Sequence, residues 1–195
     1  MWMMLKDLVE RIKRDASVDE DGLIQMQGFI HHLADTNLLQ NCGCALAEIF
    51  RHYQPTKILT AEVSGILAAL PAGIELDIPV LIARKELPKT MQGLEIHEKA
   101  RSRTKGTETS LFILTEHIRE HDRILIIDDV LARGETASAL IRLARRSGAA
   151  VVGVGVLVEK RYEAGRARIE PEIPVHALCT IISVEDGVIR FADDM

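Results

Sequence analysis

At 195 residues the chain is long enough for one domain with a sizeable core, and with aromatics at 4% that core must be built from aliphatic side chains. A net charge of −5 provides no basic field for nucleic acid or an anionic membrane. The longest apolar run, residues 149–158, is too short to span a bilayer, and Met1-Trp-Met-Met4 lacks the order of a signal peptide; three cysteines, Cys42, Cys44 and Cys179, make no disulfide framework, so the chain reads as cytoplasmic.

In chain order, residues 5–14 put Leu5, Leu8, Val9 and Ile12 on one stripe of an amphipathic helix. Residues 22–29 read as extended, with His31 and His32 following. A helix is expected from Asp35 or Thr36 to Tyr53, opened by a capping side chain and stopped by Pro55. Within it Cys42 and Cys44 are two apart, so they face different sides and read as thiols in a packed helix rather than zinc ligands. A strand over residues 57–61 leads through Glu62-Val-Ser-Gly65 into a helix ending near Leu76, and a strand over 79–83 leads into Arg84-Lys85. Residues 86–110 turn polar and mixed-charge, as an exposed hairpin would. Strands are expected at 111–118, 124–127, 149–158, 175–182 and 188–191, with a helix at 135–147 stopped by Gly148 and a charged loop at 161–168. Strands and helices alternate through the middle, which argues for an α/β fold with a mainly parallel sheet covered on both faces.

The stretch with the most chemistry is Ile124-Leu-Ile-Ile-Asp-Asp-Val-Leu-Ala-Arg-Gly-Glu-Thr136. A doubly buried strand delivers Asp128 and Asp129 to its carboxyl end, where open α/β sheets bind ligands. A one-glycine loop then opens a helix whose unpaired N–H groups suit a phosphate. Carboxylates beside such a cradle repel phosphate, so sugar hydroxyls or a divalent cation are their natural partners. The pattern resembles the phosphoribosyl pyrophosphate (PRPP) motif of the type I phosphoribosyltransferases. The resemblance implies that Asp128 and Asp129 meet the ribose hydroxyls, while Ala132, Arg133, Gly134, Glu135 and Thr136 hold the 5′-phosphate. Arg133 and Glu135 depart from the commonest form of the motif, in which threonine and glycine stand.

Other stretches resemble further parts of the same family. Read alone, Glu62-Val-Ser-Gly65 is either an anion-binding turn or a tight connection with Ser64 capping the next helix. By resemblance it is the pyrophosphate loop, with Glu62, Ser64 and Gly65 as its contacts and a cis peptide often present. Arg84 and Lys85 look like the cations that purine members place against pyrophosphate; an arginine fork grips such a group better than lysine. The mixed-charge hairpin resembles the flexible catalytic loop, with Ser102, Thr104 and Lys105 near its tip. Lys160 stands where purine members donate to an exocyclic oxygen of the base, and Tyr162 either stacks on the base or packs under its loop. In the stretch 23–32, similar to xanthine members, Ile24 takes the apolar base-packing position and His31 the position of an asparagine. An imidazole cannot donate and accept as an amide does, which leaves base preference open.

The resemblance implies a type I phosphoribosyltransferase fold spanning residues 1–195 as a single domain, its hood from about residues 15–35 and the C-terminal part, its core about 36–160. It implies transfer of ribose 5-phosphate from PRPP to a 6-oxopurine, xanthine favoured, in purine salvage. Mg²⁺ would be carried mainly by PRPP oxygens near Asp128 and Asp129, and the protein would form a homodimer. Adenine or hypoxanthine/guanine specificity, and a PRPP-sensing regulator without catalysis, remain the alternatives.

Overall fold

Ile124, Leu125, Ile126 and Ile127 are all completely buried, and the whole architecture is layered around them. Each contributes about 1.5–3 kcal/mol over its exposed state. A computed structural model describes residues 2–20, 22–86, 93–101, 108–169 and 171–192. The four residues belong to β7 (Arg123–Leu131), a central member of a six-stranded sheet. In chain order its other members are β3 (Lys57–Ala61), β4 (Val80–Ala83), β8 (Ala150–Lys160), β9 (Val175–Glu185) and β10 (Val188–Phe191). The spatial order is β10-β9-β8-β7-β3-β4, parallel throughout except for the closing hairpin of β9 with β10.

Side chains alternate between two cores, as the pleat requires. Ile58, Leu125 and Ile127 face one that also holds residues of α1 (Trp2–Asp15), α2 (Thr36–Phe50) and α3 (Gly65–Leu76). Leu59, Ile124 and Ile126 face the other, filled by Ala137, Leu140, Ile141 and Ala144 of α4 (Glu135–Arg146). The expected mainly parallel sheet flanked by helices is therefore present, as the resemblance implies. The expected cap also forms: the Asp35 carboxylate accepts from Leu38 N at 3.1 Å. Cys42 is buried, its thiol pushed up to about 12 by desolvation, whereas Cys44 is only partly covered.

Several local expectations change: the helix expected to reach Tyr53 is α-helical only to Phe50 and ends in a 3₁₀ turn, and the strand expected at 175–182 runs to Glu185. Residues 22–29 are not one extended segment: β2 (Ile24–Gln25) pairs with β1 (Ser17–Val18), and Gln27–His31 coil into a π-helical turn. Met26, Phe29 and Ile30 are buried at helical spacing, which overrides any strand alternation there. The strand expected at 111–118 is shifted to β6 (Glu108–Leu114), pairs with β5 (Glu95–Arg101), and is followed by a 3₁₀ turn at Thr115–His117. Thr115 N bonds to Leu94 O at 2.9 Å, which ends the ladder there. The strand expected to end at Ile127 runs on to Leu131, because β8 keeps pairing with it as far as Leu131 opposite Glu159.

Candidate active site

β3 leads through α3 to β4 on one side, while β7 leads through α4 to β8 on the other, so the two adjacent strands diverge at their carboxyl ends. Such a reversal point is where open α/β sheets leave a ligand crevice. The β3–β7 ladder stops at Leu59 opposite Ile126, and β7 carries Asp128 and Asp129 beyond it. Asp128 is only 8% exposed, and its Oδ1 accepts from the Asp129 amide at 3.0 Å.

Two neighbouring carboxylates with little water cannot both ionise freely. Desolvation, then the charge of Asp129, holds the Asp128 carboxyl well above the usual range, with the Lys85 ammonium acting against that shift. Burial raises Asp129 too, but hydrogen bonds involving His31, Asp128 and Ser64 outweigh it and keep the group below its usual value. His31 Nε2 lies 3.0 Å from Asp129 Oδ2. The pair thus divides into an anionic acceptor and a more readily protonated neighbour, which suits hydroxyl groups that both donate and accept.

Glu62, Ser64 and Gly65 lie beside this pair. The Glu62–Val63 peptide is cis. Ser64 occupies the N-cap position of α3 but makes no capping bond with its side chain; its hydroxyl serves Asp129 instead. A Cβ on Gly65 would lie 2.7 Å from Asp128 Oδ1, so only glycine allows this turn to approach the acid. Glu62 organises the two cations: its Oε1 accepts from the Lys85 amide at 2.6 Å and its Oε2 meets Arg84 Nε at 2.8 Å. Arg84 in turn exchanges backbone hydrogen bonds with Phe112 of β6, tying the hairpin to the crevice.

The turn from β7 into α4 completes the crevice. Gly134 adopts φ +76°, a left-handed conformation that favours glycine, immediately before the first helical residue Glu135. Its carbonyl accepts from Ser138 N, which leaves the earlier amides of the turn available to an anion. Gly165, from the turns after β8, packs its backbone directly against Ala132, Arg133 and Gly134.

Of the remaining residues singled out in the sequence, Lys160 ends β8 and is 7% exposed. Ile24 is 6% exposed, within the core cluster rather than on an open surface. Ser102, Thr104 and Lys105 lie outside the described residues. Three residues of the site had no sequence signal. Thr60 is fully buried beside Gly65, and its Oγ1 has no hydrogen-bond partner among the described residues. Glu163 and Arg168 reach Arg133 and Glu135 from a segment that reads only as a charged loop. Among the described residues no group of three or more His, Cys, Asp or Glu side chains gathers to cage a metal.

Comparison with known proteins agrees with this geometry. A model of the phosphoribosyl transferase domain matches residues 32–193. The chain is 38% identical to the xanthine phosphoribosyltransferase of Pseudomonas aeruginosa, covering 95% of this chain and 98% of that one. It is 35% identical to the xanthine phosphoribosyltransferase of Geobacillus thermodenitrificans, covering 98% and 99%. Among solved structures, adenine phosphoribosyltransferase from Rhodothermus marinus superposes with a TM-score of 0.74 at 27% identity, covering 93% and 100%. The adenine enzyme from Thermoanaerobacter pseudethanolicus gives 0.75 at 21% identity, covering 90% and 99%, a likeness of fold.

Proposed function

Because this chain belongs to the phosphoribosyltransferase family, we propose that it transfers ribose 5-phosphate from PRPP to a 6-oxopurine, with xanthine favoured, as a step of purine salvage. The observation that carries the reading is the meeting, at one sheet reversal, of Asp128 and Asp129 with the Glu62–Gly65 turn and the glycine turn before α4. The printed names of the relatives, at 35–38% identity over almost the whole chain, favour xanthine as the base.

In this reading Asp129 accepts from a ribose hydroxyl and Asp128 both accepts and donates. The amides from Ala132 to Thr136 hold the 5′-phosphate at the start of α4, where the helix dipole favours negative charge. Arg84, oriented by Glu62, and Lys85 take the pyrophosphate. Lys160 and His31 serve the base, with Ile24 behind them, and Ser102, Thr104 and Lys105 belong to a closing loop. A Mg²⁺ ion fits this donor set, since two carboxylates suit a hard cation that PRPP brings with most of its ligands. When bound it neutralises charge on the leaving pyrophosphate. The C1′–O bond to pyrophosphate breaks, a bond from C1′ to a purine nitrogen forms, and the base loses its proton to solvent. The protein contributes alignment and fixed dipoles rather than a nucleophile.

A single domain, a homodimer and a cytoplasmic location are part of the same reading, by family analogy. No described helix is long and apolar enough to cross a membrane. The test is turnover of PRPP, with Mg²⁺ present, on xanthine, hypoxanthine, guanine and adenine in parallel. Xanthine should give the highest kcat/KM. Turnover of adenine alone would overturn the choice of base, and PRPP binding without turnover on any purine would favour a sensor.

A further inference from the structure

Two residues make the turn before α4 unusual, Arg133 and Glu135, and each meets an opposite charge from the same short segment after β8. Arg133 Nε lies 3.5 Å from Glu163 Oε2, and Arg168 donates to Glu135 Oε1 at 2.6 Å. Between these two contacts the Gly165 backbone packs on Ala132, Arg133 and Gly134 so closely that a Cβ there would lie 2.6 Å from the Gly134 nitrogen. The segment therefore touches the turn in three successive places.

Glu135 poses a problem for the proposed function, on which this inference rests. It is the first residue of α4, where the helix offers its amides to an anion, and its carboxylate would repel an incoming phosphate dianion. Arg168 is the residue that answers that charge. The pair is too exposed to matter much for folding, with the arginine side chain 54% and the glutamate 30% accessible. Its consequence falls on the field at the turn. We propose that Arg168 is a positioning residue for PRPP: by holding and neutralising the Glu135 carboxylate, it makes the start of α4 fit to receive the 5′-phosphate.

The test is a double-mutant cycle read by calorimetric titration with PRPP and by steady-state kinetics. Arg168→Ala should weaken PRPP binding by about tenfold, which is about 1.4 kcal/mol, and raise the KM for PRPP while kcat changes little. The same change made together with Glu135→Gln should weaken binding no further than Glu135→Gln alone, since no carboxylate is left to neutralise. Arg168→Lys should keep most of the affinity. The effect of Arg168→Ala should shrink toward 1 M salt, where the screening length is about 3 Å.

Equal losses with and without Glu135→Gln would mean that Arg168 touches the phosphate itself or only supports the segment, and would overturn the inference. Unchanged PRPP affinity in Arg168→Ala would overturn it as well. Failure of the unaltered protein to bind PRPP would instead remove the proposed function, and the inference with it.

Discussion

His31 and Asp129 stand 98 positions apart in the chain, yet the imidazole Nε2 meets the carboxylate Oδ2 at 3.0 Å. The π-helical turn that ends in His31 is anchored by buried Phe29 and Ile30, and Asp129 projects from β7, whose Ile124–Ile127 run is fully buried, so both partners are held by the core. In the proposed function this contact links the base side of the crevice to the ribose side.

Removing the imidazole should therefore be felt at the acid. The hydrogen bond to His31 does most to lower the Asp129 carboxyl against its burial. In His31→Ala the Asp129 carboxyl should titrate higher than in the unaltered protein, as followed by carboxyl-carbon NMR. The KM for xanthine should rise roughly tenfold, the size of one lost hydrogen bond to a charged group. An Asp129 titration that does not move would show that the contact lacks the electrostatic weight assigned to it.

The double change Asp128→Asn with Asp129→Asn keeps shape and removes the anionic acceptor at Asp129 and the proton-sharing carboxyl at Asp128. A hydrogen bond from a ribose hydroxyl to the charged Asp129 contributes about 1.5–3 kcal/mol. PRPP affinity should fall by at least about tenfold, measured by calorimetry with a circular dichroism melt as the folding control. Undiminished affinity contradicts the sugar-binding role.

Asp122 supplies a test of stability away from the crevice. It is 5% exposed, accepts from Thr56 Oγ1 at 3.0 Å and from Lys57 Nζ at 2.7 Å, and receives the Arg119 amide. Asp122→Ala should cost about 2–4 kcal/mol, since it leaves a lysine and a hydroxyl without their acceptor. Burial tends to raise this carboxyl, but the hydrogen bonds from Lys57, Arg119 and Thr56 prevail and hold it below 3.8. A depressed acid stabilises the fold fully above its unfolded value and loses that contribution as pH falls through its folded value. The gap in melting temperature between the unaltered protein and Asp122→Ala should hold from neutral pH to about pH 5 and narrow in stronger acid.

Glu98 lies between Arg142 Nε at 2.8 Å and Arg146 Nη1 at 2.9 Å, fastening β5 to the helix that starts at the phosphate turn. The same arginines also donate to Lys99 O and His97 O. Both arginine side chains are about half exposed, so Glu98→Gln should cost the whole fold only about 0–1 kcal/mol. The consequence should instead be local. Amides of β5 and β6 should exchange with deuterium faster while those of β7 and β8 keep their protection. Equal acceleration throughout the sheet would argue that the clamp serves global stability.

Much of this site was legible in the linear order of residues because its parts are local. A buried aliphatic run followed by Asp128, Asp129, a glycine turn and a helix start is one continuous strand-turn-helix, and each residue's place follows from its neighbours. The same holds for Glu62, Ser64 and Gly65 and for Arg84 and Lys85, each set at a strand end. The coiling of Gln27–His31 was also written in the spacing of Met26, Phe29 and Ile30, although the flanking residues mask it as an extended segment. What the linear order could not contain is pairing across distance. Nothing local tells Ser64 to serve Asp129 rather than cap its own helix, sends Glu62 to Arg84, or brings Arg168 to Glu135. Those partnerships arise where β3 and β7 part and the segment after β8 folds back over the turn, because charge and hydrogen bonding act through space while composition and periodicity act along the chain.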